Sequence, residues 1–241
     1  QSEDEPIRDA SARTVERMAS KPRQEVGKDT EVIDIGAGYG GSARHLARHY
    51  GCHVVALNLS EAENERDREK NREQGLEDLI TVVDGDFAAI DYPDATFDLV
   101  WSQDAMLHSG NRERVLCEVA RITKPGGEFI FTDPMHADGI DLGEIQPILD
   151  RLHLQSLGSP GFYRETLENL GFEELEFEQA TEQLARHYYR VLQELRARRD
   201  DLKAKVSDEY LDRMDQGLQH WVEGGRKGNL AWGIFHFRKL T

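Results

Sequence analysis

The chain has 241 residues, 38% of them hydrophobic, enough to bury a full core in one large α/β domain. Its formal charge is −16, from 30 basic and 46 acidic side chains, which argues against nucleic acid, whose phosphates must be met by Lys and Arg. Cys52 and Cys117 lie far apart with no second ligand pair, so a disulfide framework and a zinc site are not expected, and a reducing cytosol fits.

No stretch is long and apolar enough to span a bilayer, and no signal peptide is visible. Gln1, not Met, opens the chain, which leaves open a longer chain with an N-terminal lid. A helix is predicted from Pro6 to Ser20. Strands are predicted at Val32 to Ile35, His53 to Asn58, Ile80 to Val83, Phe97 to Trp101 and Glu128 to Thr132. Helices between them are predicted at Gly41 to Tyr50, Glu61 to Gln74 and Arg112 to Ile122. Short apolar strands alternating with helices imply a parallel sheet with right-handed crossovers.

After Asp133 the alternation breaks. Residues 134–158 read as a Pro- and Gly-punctuated insertion with a short helix, and 160–178 as a helix and a strand, Glu173 to Glu178. Thr181 to Val206 reads as one long charged helix with a narrow apolar face of Leu184, Tyr188, Val191, Leu192 and Leu195. A second helix runs from Asp208 to Glu223, with Gly224-Gly225 ending it, and Leu230 to Arg238 is the last strand. The expectation is a single Rossmann-like α/β domain. Its seven-stranded, mostly parallel sheet has helices on both faces. Helical cap insertions at about 134–158 and 181–225 lie over the C-terminal edge of the sheet, where open α/β sheets bind ligands.

The most informative stretch is Glu-Val-Ile-Asp-Ile-Gly-Ala-Gly-Tyr-Gly-Gly, residues 31–41. Glycines 36, 38 and 40 follow a short strand and precede a helix, so a ligand can lie against bare backbone. Gly36, Gly38 and Gly41 also satisfy the dinucleotide pattern G-x-G-x-x-G. That pattern calls for an acid at the end of the second strand, and here the residue is Asn58. Asp34 precedes the first glycine, where a carboxylate suits an amino-acid ammonium and repels a pyrophosphate. Asp86 and Phe87 follow the third strand, an acid and an aromatic ring suited to adenine. Lys124-Pro125-Gly126-Gly127 then turns into the strand Glu128 to Thr132.

Together these residues resemble the class I S-adenosylmethionine (SAM) dependent methyltransferases. Asp34 to His45, Ala56 to Ser60, Trp101 to Ser109, Phe131 to Met135 and Gly217 to Lys239 further resemble the sarcosine/dimethylglycine N-methyltransferases, which methylate glycine derivatives to glycine betaine. The resemblance covers nearly the whole chain. It implies SAM as cofactor, S-adenosyl-L-homocysteine as its product, a small amine as acceptor, a cytoplasmic monomer or homodimer, and no metal, nucleic acid or membrane partner. The negative charge serves solubility, and beside an osmolyte enzyme it also suits a salty cytoplasm.

On the cofactor side the resemblance implies Asp34, Gly36, Ala37, Gly38, Gly40, Asn58, Leu59, Asn64, Asp86, Phe87 and Ser102. Asn58 is assigned to the ribose. Ser60, with Glu63 three residues on, is the better helix cap and leaves Asn58 free. Asn64 reads either as a ribose- or adenine-side group or as a solvated helix residue, and Phe87 either packs on adenine or fills core.

Gln103 closes the fourth strand and His108 follows it; both are assigned to catalysis and acceptor binding. Methyl transfer to an amine needs in-line positioning, exclusion of water and a free nitrogen lone pair. Gln103 suits positioning beside a cation, and His108 suits accepting the amine proton or binding the acceptor carboxylate. Pro134 and Met135 are expected to shape a small acceptor pocket, with an ordinary turn as the simpler reading. Tyr163 and Trp221 read equally as aromatic walls for a methylammonium or as core. Arg151 and Arg164 are both available for the carboxylate, and the sequence does not choose between them. His220, beside Trp221, is the one other histidine of note. Other acceptors, phosphoethanolamine among them, a dinucleotide oxidoreductase and a non-catalytic SAM-binding protein are the competing readings.

Overall fold

The computed structural model describes residues 6–241, so the expectations about Gln1 and a lid lie outside the described residues. The chain forms two compact units. One comprises Thr14–Asp133, Phe162–Glu178 and Ile234–Thr241; the other comprises Pro134–Gly161 and Gln179–Gly233 with residues 6–13.

The first unit carries a seven-stranded sheet. Its elements begin with α1 (Ile7–Ala19), β1 (Glu31–Ile35), α2 (Gly41–Tyr50), β2 (His53–Asn58), α3 (Glu61–Glu73), β3 (Ile80–Asp84) and β4 (Phe97–Gln103). A 3₁₀ turn (Met106–His108), α4 (Arg112–Ile122) and β5 (Thr123–Thr132) follow, and α6 (Pro160–Asn169), β7 (Phe172–Gln179) and β9 (Gly233–Lys239) complete it. The strand order is β3-β2-β1-β4-β5-β9-β7. β1 to β5 pair in parallel, and β9 lies antiparallel to β5. Val32, Ile33, Val54, Leu99 and Val100 are buried, as expected of parallel strands covered on both faces.

The antiparallel join is held by aromatic pairs. Phe131 faces Phe235 and Phe129 faces Phe237 across the ladder, and the Phe131 and Phe235 rings lie 4.9 Å apart. At Glu128 the same strand gathers the segment before β1. Its carboxylate, 1% exposed, accepts from the Arg23 and Gln24 amides and from His236 Nε2 at 2.7 Å.

The second unit is helical. After β6 (Met135–His136) it contains a 3₁₀ turn (Leu142–Ile145), α5 (Gln146–Leu152), α7 (Thr181–Ala197), α8 (Arg199–Lys203), α9 (Asp208–Lys227) and β8 (Leu230–Ala231). β6 and β8 form a two-stranded antiparallel ladder. Tyr188 of α7 stacks on Trp221 of α9 at 4.6 Å, and Arg196 bonds Asp215 at 2.6 Å.

Four boundaries differ from expectation, the first being β5, which starts at Thr123 and takes in the Lys124–Gly127 turn. The helix predicted over Thr181 to Val206 breaks at Arg198. Beyond Ala197 the apolar spacing ends, and α8 buries no residue, so nothing holds the charged segment in line with α7. The second helix does not stop at Gly224-Gly225. It runs to Lys227, and Gly228 at φ 79° ends it. The two glycines serve packing: a Cβ on Gly225 would lie 2.9 Å from that of Ala185, and one on Gly224 3.1 Å from Leu230 Cδ1. The last predicted strand is two, β8 and β9, interrupted at Trp232 so that β8 pairs with β6.

Candidate active site

The sheet order reverses at β1 and β4, which lie side by side with β2 outside β1 and β5 outside β4. The C-terminal ends of these two strands bound a crevice of the kind in which open α/β sheets bind ligands. Four segments meet there: the glycine loop after β1, Asn58-Leu59 after β2, Gly85 to Phe87 after β3, and Gln103 to His108 after β4.

The glycine loop has φ of 77°, 55° and 69° at Gly36, Gly38 and Gly40, a region in which only glycine is unstrained. Two of these positions are also sterically closed. A Cβ on Gly36 would lie 2.4 Å from Ala105 Cβ, with Phe87 Cε1 at 3.6 Å. A Cβ on Gly40 would lie 1.9 Å from Asp67 Oδ1. The Gly36 and Ala37 amides donate to Leu57 O at 2.8 and 3.0 Å, and the Gly40 amide to Ala37 O at 2.9 Å. Those three donors are engaged within the protein, whereas a phosphate cradle needs its amides turned to the ligand.

Asp34, in β1 just before this loop, is 1% exposed. Strand β1 must bury both faces, and its last residues go inside with it. Burial, then the charge of Asp67, pushes the Asp34 carboxyl up to about 7, although the Ala43 amide donates to it. Asp34 Oδ2 has no hydrogen-bond partner.

The loop's support comes from residues that sequence reasoning missed. Arg44 of α2 pairs with Asp67 and donates to Asn71 Oδ1 at 2.9 Å, both on α3, and also bonds Tyr39 O. Asn64, Asp67 and Asn71 are buried at helical spacing on an otherwise charged helix. Small polar side chains at i, i+3 and i+7 were the available signal.

Asn64 is therefore not solvated. It is fully buried, and its amide bridges Asn58 O at 2.9 Å and Asp84 Oδ1 at 2.8 Å, tying the ends of β2 and β3 together. Ser60 caps α3 as read, accepting from the Glu63 amide at 3.4 Å. Asn58, however, is not left free: its amide donates to Glu63 Oε2 at 3.1 Å. Leu59 beside it is 74% exposed. Asp86 is exposed and accepts from the Ala88 amide at 2.8 Å, closing a turn that leaves Phe87 half-buried next to Gly36.

On the β4 side Ser102 is fully buried and donates to Ile35 O at 3.0 Å, so it acts through β1. Gln103 Oε1 accepts from Ser42 Oγ at 2.9 Å, which locks the start of α2 to the end of β4. Asp104 follows at φ 52°, a strained value for a residue with a Cβ, and its amide donates to Thr132 O at 2.9 Å. His108 is exposed at the end of the 3₁₀ turn, and partial desolvation lowers its pKa from 6.5. A neutral imidazole can accept a proton.

The acceptor-side expectations fare differently. Tyr163 is fully buried, packs on Phe131 at 5.0 Å and donates its hydroxyl to Asp133 Oδ2 at 2.7 Å; it is core, not a wall. Apolar burial of an aromatic ring is its own driving force, and the Asp133 carboxylate satisfies the hydroxyl. Trp221 is 3% exposed in the α7–α9 stack, which likewise makes it core. Pro134 and Met135 are buried, the latter in the β6–β8 ladder. Neither candidate arginine is at liberty. Arg151 donates to the Arg213 and Met214 carbonyls at 2.9 and 3.3 Å, filling the space over Gly217. Arg164 bonds Glu174 at 2.7 Å and stacks over Phe177. Among the described residues, no group of three or more His, Cys, Asp or Glu is arranged to hold a metal ion. No helix of the described residues is long and apolar enough to cross a membrane.

The sheet order and this glycine crevice are those of a methyltransferase domain, and residues 33–131 match the family description "Methyltransferase domain". Similarity to whole proteins extends over nearly all of the chain. It is 62% identical over 98% of its length to a sarcosine/dimethylglycine N-methyltransferase of Halorhodospira halochloris, covering 85% of that protein. It is 52% identical over 98% to one from Aphanothece halophytica, again covering 85% of it. A crystal structure described as that of a sarcosine dimethylglycine methyltransferase from Galdieria sulphuraria superposes with a TM-score of 0.93 at 42% identity, over 98% of this chain and 89% of that one. The chain belongs to the sarcosine/dimethylglycine N-methyltransferase family.

Proposed function

We propose that the chain transfers methyl groups from SAM to sarcosine and dimethylglycine, giving glycine betaine. The observation that carries this reading is the convergence at Gly36. Ala105 and Phe87 close on a residue that has no room for a Cβ, in a chain whose family methylates these amines. The crevice suits SAM in its parts. Phe87 and exposed Leu59 are apolar surfaces for adenine, and Asp86 supplies an acceptor for its amino group. Asn58 and Glu63 together present acceptors to the ribose hydroxyls. Asp34, with one oxygen unpartnered, favours a cationic group above the loop.

SAM, when bound, supplies a methyl group already activated by a sulfonium, so the chemistry calls for no metal and turnover should survive EDTA. What remains for the protein is to orient the amine and free its lone pair. Gln103, held by Ser42, gives a neutral polar edge at the end of β4. His108, whose pKa partial desolvation lowers, takes the proton from the amine nitrogen onto an imidazole nitrogen. Ala37, Gly38, Gly40 and Ser102 shape the cofactor side. The free cysteines Cys52 and Cys117 suit a cytoplasmic location.

The test is a methyl-transfer assay with glycine, sarcosine, dimethylglycine and phosphoethanolamine, the products identified by mass spectrometry. Betaine from dimethylglycine, with sarcosine accepted and glycine poor, is expected. Turnover of glycine alone, or of phosphoethanolamine alone, overturns the acceptor assignment.

A further inference from the structure

Asp133, the residue after β5, is buried to 0% exposure, and each of its oxygens has a partner on a different element. Oδ1 accepts the Leu107 amide at 2.9 Å, and Oδ2 accepts the Tyr163 hydroxyl at 2.7 Å. Leu107 is the middle residue of the 3₁₀ turn Met106–His108, so the carboxylate grips the turn one residue before His108. Tyr163 is itself immobilised among Phe131, Phe162 and Phe235, which gives the carboxylate a fixed anchor. The turn needs such a hold. It is short, it follows the strained Asp104, and its own bonds are the His108 amide to Ala105 O at 3.1 Å and the Ser109 amide to Met106 O at 3.0 Å.

We propose that Asp133 is a positioning residue for methyl transfer: through the Leu107 amide, and braced by Tyr163, it sets where the His108 imidazole stands at the end of β4. The proposal rests on the reading of His108 as the group that takes the amine proton. The groups facing Asp133 are Tyr163 from α6, Asp104 from the end of β4 and Arg112 from α4, whose guanidinium also donates to Leu107 O at 3.2 Å. Burial, with the nearby Asp104, raises the Asp133 carboxyl to about 7, and either protonation state can accept from the Leu107 amide. The bond, not the charge, is what the turn requires, so an amide in place of the carboxyl should serve.

The experiment compares Asp133→Ala, Asp133→Asn and Tyr163→Phe in the full chain, following the His108 ring by NMR titration and methyl transfer to dimethylglycine. In Asp133→Ala the His108 ring signals and their titration should change from wild type as the turn that carries the ring loses the Leu107 amide bond. Its kcat should fall tenfold or more, with SAM affinity within about twofold. Asp133→Asn should restore the wild-type His108 signal and most of the turnover, and Tyr163→Phe should fall between. Should Asp133→Ala not fold, Tyr163→Phe carries the test, because it removes one brace and keeps the ring. An unchanged His108 titration in whichever of these variants folds, or an Asp133→Asn no better than Asp133→Ala, overturns the proposal. Failure of the underlying reading is separate: His108→Ala would then turn over like wild type, while in the chains that keep His108 its titration still responded to the Asp133 substitutions.

Discussion

Gly40 and Asp67 compete for one position: a side chain on the glycine would begin 1.9 Å from the aspartate's Oδ1. The carboxylate comes from α3, the glycine from the loop after β1, and Arg44 joins them by bonding Asp67 and the Tyr39 carbonyl. The third glycine of the motif is thus fixed by what lies behind the loop. Gly40→Ala should expel Asp67 from its pairing, weaken SAM binding at least tenfold and lower the melting temperature. Gly38→Ala meets no atom within 4 Å and should cost only the left-handed strain, about 1–2 kcal/mol. Equal effects from the two substitutions, measured by calorimetry and thermal melts, would refute this account.

Breaking the Arg44–Asp67 pair should be severe. Asp67 has 0% exposure and Arg44 7%, and Asp34 lies within the charge field of Asp67. Arg44→Met leaves the buried Asp67 carboxylate without its paired guanidinium, which should cost roughly 3–5 kcal/mol. Adding Asp67→Asn should recover a large part of it. A double variant as unstable as the sum of the single ones, in urea melts, would show that the two residues do not act as a pair.

The buried carboxyls give stability a definite pH dependence. Asp34 and Asp133 titrate near 3.8 when unfolded and at about 7 when folded, so the folded chain holds their protons more tightly in between. Their contribution is most favourable below about pH 4 and is lost as pH rises through about 7. Urea midpoints at a series of pH values across that window should fall less steeply in Asp34→Asn and Asp133→Asn than in wild type. Identical slopes in all three proteins would rule it out.

Ligand binding should reverse part of that effect. A cation above the glycine loop favours ionised Asp34, so SAM should bind more tightly as pH rises through about 7, releasing protons. Calorimetry in two buffers of different ionisation enthalpy reads the proton count directly. No proton release near pH 6.5, or the same release in Asp34→Asn, would mean that Asp34 does not sense the ligand.

His108→Ala should lower kcat far more than SAM affinity, because the residue stands on the β4 side and its proposed task concerns the acceptor. The wild-type rate should decline on the acid side, below the lowered His108 pKa, where the imidazole is already protonated. The same acid limb in His108→Ala would assign the titration to another group.

The strands and the glycine loop were legible because they are set by local pattern: apolar runs of five or six residues, and three glycines at left-handed φ values that cost a residue with a Cβ strain. The positions of Gln103 at the end of β4 and of His108 just after it were legible too, while their roles stand as proposed. The residues behind the loop were not. Arg44 and Asp67 are charged side chains on helices, and in sequence they look like any solvated pair; only the fold makes them inward-facing. The same limit explains Tyr163, Arg151 and Arg164. Their residue types suit an acceptor pocket, but each has a partner on another element that claims it: Asp133, the α9 carbonyls and Glu174. Gly224-Gly225 misled because a glycine pair usually ends a helix, and here Ala185 needs the room.

Glu128 has a practical corollary for anyone shortening the chain. The carboxylate is shielded from water and draws two of its donors from the backbone of Arg23 and Gln24, before the first strand begins. A fragment trimmed to start at β1 would keep every strand and every residue of the crevice. It would nevertheless leave that acid with His236 alone, at the end of the sheet farthest from the chemistry. The usable N-terminal boundary of this fold is therefore drawn by one buried acid in the fifth strand together with Val15, Met18 and Ala19 of α1, which pack in the core.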